Sequence, residues 1–335
     1  MSLTEQYILY HLIYKVSTLF FTFFNFFCKN IKISSKPLDY LDLCNESVSL
    51  ILIILGLWEY EVRNNPQVSL ILIFERYGPE SMIFETHAHY DDEAFDEDRE
   101  SLISSMYDSG IGHIVNVGAS LGSTTTSIAL AQRYPFVYAA AGVHPNETAE
   151  LNEENFLWLK EQCFNEKVVA VGEIGLDYYW DEPSHEIQKL WFERQLELAR
   201  EVNKPVIIHS RDAAKDTYDI MLAHNAGQIG GVIHCYSYSP EMALDYVKMG
   251  FYIGIGGVVT FKNGKKMKEV VEAVPIERIL LETDSPYLAP EPNRGKRNSS
   301  LNIPYIAQKI AEIKGLSYEE VVSITEANAL KMYRL

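Results

Sequence analysis

The chain has 335 residues, 47% of them apolar, and a formal net charge of −17. That length suits one large globular domain or two ordinary ones with a substantial core, and the acidity excludes a broad basic face for a polyanion, so any nucleic acid would need metal ions or a local basic patch. Four cysteines, Cys28, Cys44, Cys163 and Cys235, form no CxxC pair, which excludes a zinc-finger or disulfide scaffold and fits reduced thiols in the cytoplasm.

Residues 1–81 stand apart, with "VSTLFFTFFNFFC", "SVSLILIILGLW" and "VSLILIF" separated by polar pieces. The longest uncharged apolar run, residues 16–28, is shorter than the roughly 18–20 residues of a membrane-spanning helix. No basic opening and small-residue cleavage site frame a secretory signal. We read 1–81 as an N-terminal extension, either a non-native leader ahead of a functional start at Met82 or a poorly ordered segment, with a membrane anchor as the alternative. From Met82 onward, β-rich runs alternate with amphipathic stretches. Strands are expected at 82–87, 113–118, 137–144, 168–175, 205–210, 231–236, 251–257 and 279–285. Between them, "EIQKLWFERQLELAREVN" carries apolar residues at three- and four-residue steps, and "SPEMALDYVKMG" opens on a Ser-Pro start signal and ends on Gly. Eight such repeats predict an α/β protein, a (β/α)8 TIM barrel over 82–335. A doubly wound sheet competes less well, because no Gly-rich turn follows the first strand.

The ionisable residues fall at the carboxyl ends of these strands. Strand 1 ends in His87 and His89, which a strand would point to one face. Strand 3 ends in His144, strand 4 in Glu173, strand 5 in His209, strand 6 in His234 and strand 8 in Asp284. A closed barrel gathers those ends at one rim, where active sites of this fold are built. Imidazole nitrogens and carboxylate oxygens are ligands for divalent cations, in greater number here than one tetrahedral ion can use, and two ions bridged by a carboxylate fit the count. Other polar residues take structural readings. His113 opens strand 2 at the opposite rim, and His185 and His224 lie in helices. Asp91 and Asp92 are expected to cap a helix beginning near Ala94, and strand alternation turns Cys235 away from His234 into packing.

The segments "FETHAHYDD", "AGVHPNE", "VGEIGLDYYW", "PVIIHSRDA", "GVIHCYS" and "LLETDSPYLAP" followed by "NRGKRN" resemble, in order and spacing, the motifs of the TatD family of metal-dependent deoxyribonucleases, within the amidohydrolase superfamily. The resemblance covers 82–335. It implies a hydrolase using two divalent metal ions per chain, Mg first with Mn or Zn as alternatives, acting on phosphodiesters of DNA from single-stranded 3′ ends, with RNA as a further candidate. Carried over by motif, His87, His89, Glu173 and Asp284 hold one ion, and Glu173 bridges to a second held by His209 and His234. Glu85 stands where many members have Asp. Asp284 is the candidate proton acceptor beside Glu173, and His144 and Arg211 are candidates for contacting the scissile phosphate. For Arg211 the competing reading is a salt bridge with Asp212 or another rim carboxylate.

Arg294, Lys296 and Arg297 are candidates for a local positive patch, whereas the lysines of "FKNGKKMK" (Lys262, Lys265, Lys266, Lys268) read as surface solvation. Tyr90, Tyr178, Tyr179, Trp180, Tyr236, Tyr238 and Tyr287 are candidates for stacking on splayed bases. The alternative function on the same scaffold is a metal-dependent ester or amide hydrolase such as a D-aminoacyl-tRNA deacylase. Related barrels for small neutral substrates use a carboxylated lysine at strand 4, where this chain has Glu173. A non-catalytic scaffold would not need so many ligand positions. No stable membrane association is expected.

Overall fold

The computed structural model describes residues 81–335; the expectation of an N-terminal leader lies outside the described residues. Strand and helix alternate as β1 (Ile83–Ala88), α1 (Arg99–Met106), β2 (Ile111–Val117), α2 (Leu121–Arg133), β3 (Val137–Ala141), α3 (Glu153–Gln162), β4 (Val168–Asp177), α4 (His185–Glu201), β5 (Val206–Arg211), α5 (Ala214–Ala223), β6 (Gly231–Ile233), α6 (Pro240–Met249), β7 (Tyr252–Ile255), α7 (Lys265–Ala273), β8 (Ile279–Leu281), α8 (Ile303–Lys314) and α9 (Tyr318–Tyr333). The strands are parallel and lie in the order β1 to β8, so the expected (β/α)8 barrel is what this sequence forms. Local chemistry sets the helix ends. The Ser239 side chain accepts from Met242 N, Pro240 opens α6, and Gly250 closes it in the left-handed region.

Two buried clusters follow from strand alternation. One joins strand residues such as Ile83, Ile114 and Val171 to helix residues such as Ile128, Leu196 and Ile306. The other holds Phe84, Val115, Val117, Ile207, Val232 and Leu280 together with Ala329, Met332 and Tyr333 of α9. Being made of strand residues and one helix, it fills the barrel, and α9 closes the amino-terminal mouth. Tyr333 donates to Thr86 O at 2.8 Å and stacks on Phe84 at 5.6 Å. His113 sits at this end beside Phe84, with ring centroids 4.9 Å apart, as its structural reading expected.

The barrel seam closes at the other end. Ala88 bridges Ser285, Asp284 N donates to His87 O at 2.9 Å, and His89 N donates to Ser285 O at 2.8 Å. Strand β4 is the longest, and its register with β5 breaks between Val171 and Ile174. There Gly175, at φ +149°, lies so close to its β5 partner that an added Cβ would sit 2.0 Å from the His209 carbonyl oxygen. Only glycine permits that approach. Gly175→Ala is therefore expected to destabilise the fold by about 3 kcal/mol through overpacking and backbone strain, read as a lower denaturant midpoint at unchanged m-value.

Candidate metal centre

Glu173, 3% exposed, lies at the middle of the rim. Its two oxygens face different pairs of imidazoles. Oε2 lies 3.4 Å from His87 Nε2 and 3.7 Å from His89 Nε2, while Oε1 lies 2.7 Å from His234 Nε2 and 2.6 Å from His209 Nδ1. Asp284 Oδ1 is 3.5 Å from His89 Nε2 and 3.8 Å from His87 Nε2. All six expected ligand positions thus converge, and the combinations His87–His89–Glu173, His87–His234–Asp284 and Glu173–His209–His234 each bring their ligand atoms within 4.8 Å of one another.

The donor set fits divalent cations. His89 Nδ1 is 2.9 Å from the Val117 carbonyl oxygen, so it carries the proton, and in the neutral ring Nε2 is left as a lone pair. That lone pair is 3.1 Å from His87 Nε2, two ring nitrogens converging on one point as ligands do. Among the described residues no lysine or arginine pairs with Glu173 or Asp284, leaving buried carboxylates that a cation would balance.

Titration reflects the same crowding. Burial opposes the charge of Glu173, but the imidazoles of His234, His87 and His209 outweigh it and hold the carboxyl well below its usual range. Burial also opposes protonation of His209 and His89. Glu173 and Asp177 reverse this at His209, and Asp284 and Glu173 at His89, raising each to about 9. Burial and neighbouring imidazoles take His87 down to about 4 and His144 to about 3. Burial pushes Glu282 up to about 8 and Glu85 to about 7.

His144 and Arg211 line a cavity of about 1070 Å³ with His89, Glu173, His209 and Asp284. His144 Nδ1 accepts from Asn146 N at 3.2 Å, so a neutral ring carries its proton on Nε2, 3.8 Å from Glu173 Oε1. Arg211 is exposed and stacks on Tyr179 at 3.8 Å. Among the described residues it makes no ion pair, so the expected alternative of a rim salt bridge is absent. Glu85 accepts from His87 N, Thr283 N, Thr283 Oγ1 and Ser300 Oγ, tying the residues beside the ligands of β1 and β8 together.

Other expectations need correcting. The strand ends at 6 and 8 are shorter than expected: β6 stops at Ile233 and β8 at Leu281, and Cys235 (φ 42°) and Asp284 (φ 58°) then adopt left-handed backbone. This turn overrides strand alternation, so Cys235 lines the cavity. Asp92 caps a short 3-10 turn at Glu93–Phe95, but Asp91 instead accepts from Asn116 Nδ2 and Ser123 Oγ. Tyr90 and Tyr236 are buried and unavailable for stacking, whereas Tyr179, Trp180 and Tyr287 are more than half exposed. Arg297 pairs with Asp98 and Arg294 stacks on Phe261, which reduces the expected positive patch. Sequence reasoning passed over Asp177 and Glu282. Asp177 lies four residues after Glu173, on the part of β4 that runs past the expected strand end at residue 175.

A (β/α)8 barrel with imidazoles and carboxylates converging at its strand ends has the architecture of a metal-dependent hydrolase. The profile of the family described as TatD related DNase matches residues 84–334, and the chain belongs to that family. It is 45% identical over 254 residues to the uncharacterized metal-dependent hydrolase YabD of Bacillus subtilis, covering 76% of this chain and all of that protein. Over 245 residues it is 31% identical to the 3'-5' ssDNA/RNA exonuclease TatD of Cronobacter sakazakii, covering 71% and 93%. The crystal structure of YJJV, a TatD homolog from Escherichia coli K12, superimposes with a TM-score of 0.71 at 29% identity, covering 76% of this chain and 98% of that one. No helix among the described residues is long and apolar enough to cross a membrane.

A histidine whose pKa is raised on folding stabilises fully below its unfolded value of 6.5 and loses that contribution as pH rises through the folded value. For His89 and His209 the loss falls between pH 6.5 and about 9. Chelator-treated protein is expected to lose several degrees of Tm between pH 7 and 10. Added Mn should flatten that slope by taking the protons' place, a difference that thermal melts with and without chelator will show.

Proposed function

We propose that the protein is a two-metal phosphodiesterase that removes nucleotides from the 3′ ends of single-stranded DNA, with RNA as a second substrate. The observation that carries this reading is the carboxylate of Glu173, whose two oxygens each face a separate pair of imidazoles. In this reading His87, His89 and Asp284 complete one ion's shell, and His209 and His234 the other's. When bound, the pair of ions supplies an acidified water and charge balance for both oxygens of an in-line displacement. A donor set so rich in imidazole is softer than the oxygen-and-water shell of Mg, so Mn or Zn should bind more tightly even where Mg supports turnover. A cytoplasmic setting belongs to the same reading.

The remaining roles are argued from the chain itself. Asp284, with its side chain 18% exposed at the cavity wall, takes the proton from the attacking water. His144 donates a hydrogen bond from Nε2–H to a phosphate oxygen, and Arg211 offers guanidinium N–H groups from its place over the Tyr179 ring. Trp180 and Tyr287, exposed at the cavity wall, give unpaired bases faces to stack on. The name of the Cronobacter relative supports the nucleic-acid substrate.

End-labelled single-stranded DNA should be shortened with Mg, Mn or Zn and left intact with chelator. Asp284→Asn is expected to lower kcat by about 10²–10⁴-fold. Arg211→Ala should lower kcat/KM by about 10–100-fold, mainly through KM. Cleavage that survived chelation and the Asp284 substitution would overturn the mechanism; inert DNA alongside hydrolysis of a D-aminoacyl-tRNA would replace it with the deacylase.

A further inference from the structure

His209 presents both ring nitrogens to carboxylates. Nδ1 is 2.6 Å from Glu173 Oε1, and Nε2 is 3.2 Å from Asp177 Oδ2. A neutral imidazole carries one proton, so Nδ1 can offer a lone pair only while the proton sits on Nε2. Asp177 is built to hold it there. The residue is 2% exposed, and Gln188 grips its main chain in both directions, Asp177 N donating to Gln188 Oε1 and Gln188 Nε2 to Asp177 O, each at 2.9 Å. Tyr179 N occupies Oδ1 at 2.9 Å, which leaves Oδ2 for His209.

We propose that Asp177 is a positioning residue that fixes the tautomer of His209 and thereby the affinity of the second metal ion, an inference that rests on the reading of Glu173, His209 and His234 as that ion's ligands. The competing reading is a third cation between His144, Asp177 and His209, whose ligand atoms lie within 4.8 Å of one another. His144 argues against it: Asn146 N occupies its Nδ1, so in the neutral ring the Nε2 facing this group bears a proton and has no lone pair to give.

Control of the His209 tautomer by Asp177 ranks two variants in an order that a packing role does not. In Asp177→Asn the side-chain oxygen stays with Tyr179 N, so the amide NH₂ faces His209 Nε2. Donating there, it moves the ring proton to Nδ1 and removes the lone pair from the metal side. Asp177→Ala leaves Nε2 unpartnered and the tautomer free to choose. Mn binding to the full chain, followed by electron paramagnetic resonance and calorimetry, should give two ions in the wild type. The second ion should weaken by about 10–100-fold in Asp177→Asn and by less in Asp177→Ala, with the first ion unchanged in both. A mere packing role gives the reverse order, with Ala the worse variant.

His209→Ala separates the two levels of the argument. If it loses one ion while Asp177→Asn binds like the wild type, the ligand reading stands and the positioning role is overturned. If His209→Ala keeps both ions, the ligand reading fails and takes the proposal with it. A third ion in the wild type that disappears in Asp177→Asn would make Asp177 a ligand in its own right, and would overturn the proposal equally.

Discussion

A carboxylate 3% exposed and, among the described residues, without a lysine or arginine partner has to be balanced by something, because burying an uncompensated charge costs several kcal/mol. At Glu173 the balance comes from imidazoles supplied by strands β1, β5 and the end of β6. With no cation bound, protons on His209 and His89 meet the demand. A divalent ion held among the same atoms would meet it better, because it would interact with several ligands at once. The site is thus a set of acceptors drawn around one acid, and the barrel is the frame that keeps them from relaxing apart.

The frame spends backbone strain to aim its side chains. Cys235 and Asp284 sit in left-handed conformations that cost a non-glycine residue about 1–3 kcal/mol each. Hydrogen bonds hold both turns. Cys235 N donates to buried Glu282 at 2.5 Å, and Asp284 N donates to His87 O. Glu282 has its own dependence, since a Cβ on Gly254 would lie 2.3 Å from its Oε2. The metal-side residues therefore rest on a layer of buried polar contacts, with Glu85 joining β1 to the turn after β8, and Asp177 and Gln188 bracing the end of β4.

The large outline was legible in the sequence because it depends on period and order. Eight apolar runs alternating with amphipathic ones specify the barrel, and an ionisable residue at the end of a strand needs only the fold to reach the rim. His87, His89, Glu173, His209, His234 and Asp284 were readable for that reason. What the sequence hid depends on local backbone or on burial. Nothing in "HCYS" or "ETDS" signals a left-handed residue, so strand alternation misplaced Cys235. Tyr90 and Tyr236 look like the other rim tyrosines, yet packing buries them, Tyr90 against Phe95 with ring centroids 4.8 Å apart. Asp177 stands where "GLDYYW" reads as the start of a loop, but the irregular, ten-residue β4 carries it back to His209.

In the proposed two-metal site one acid, Glu173, divides its two oxygens between two cations. Crystals grown with Mn and measured at its absorption edge test this directly through the anomalous difference map. Two peaks are predicted, one beside Glu173 Oε2 among His87, His89 and Asp284, the other beside Oε1 between His209 and His234. A single peak, or peaks that do not share Glu173, would contradict it.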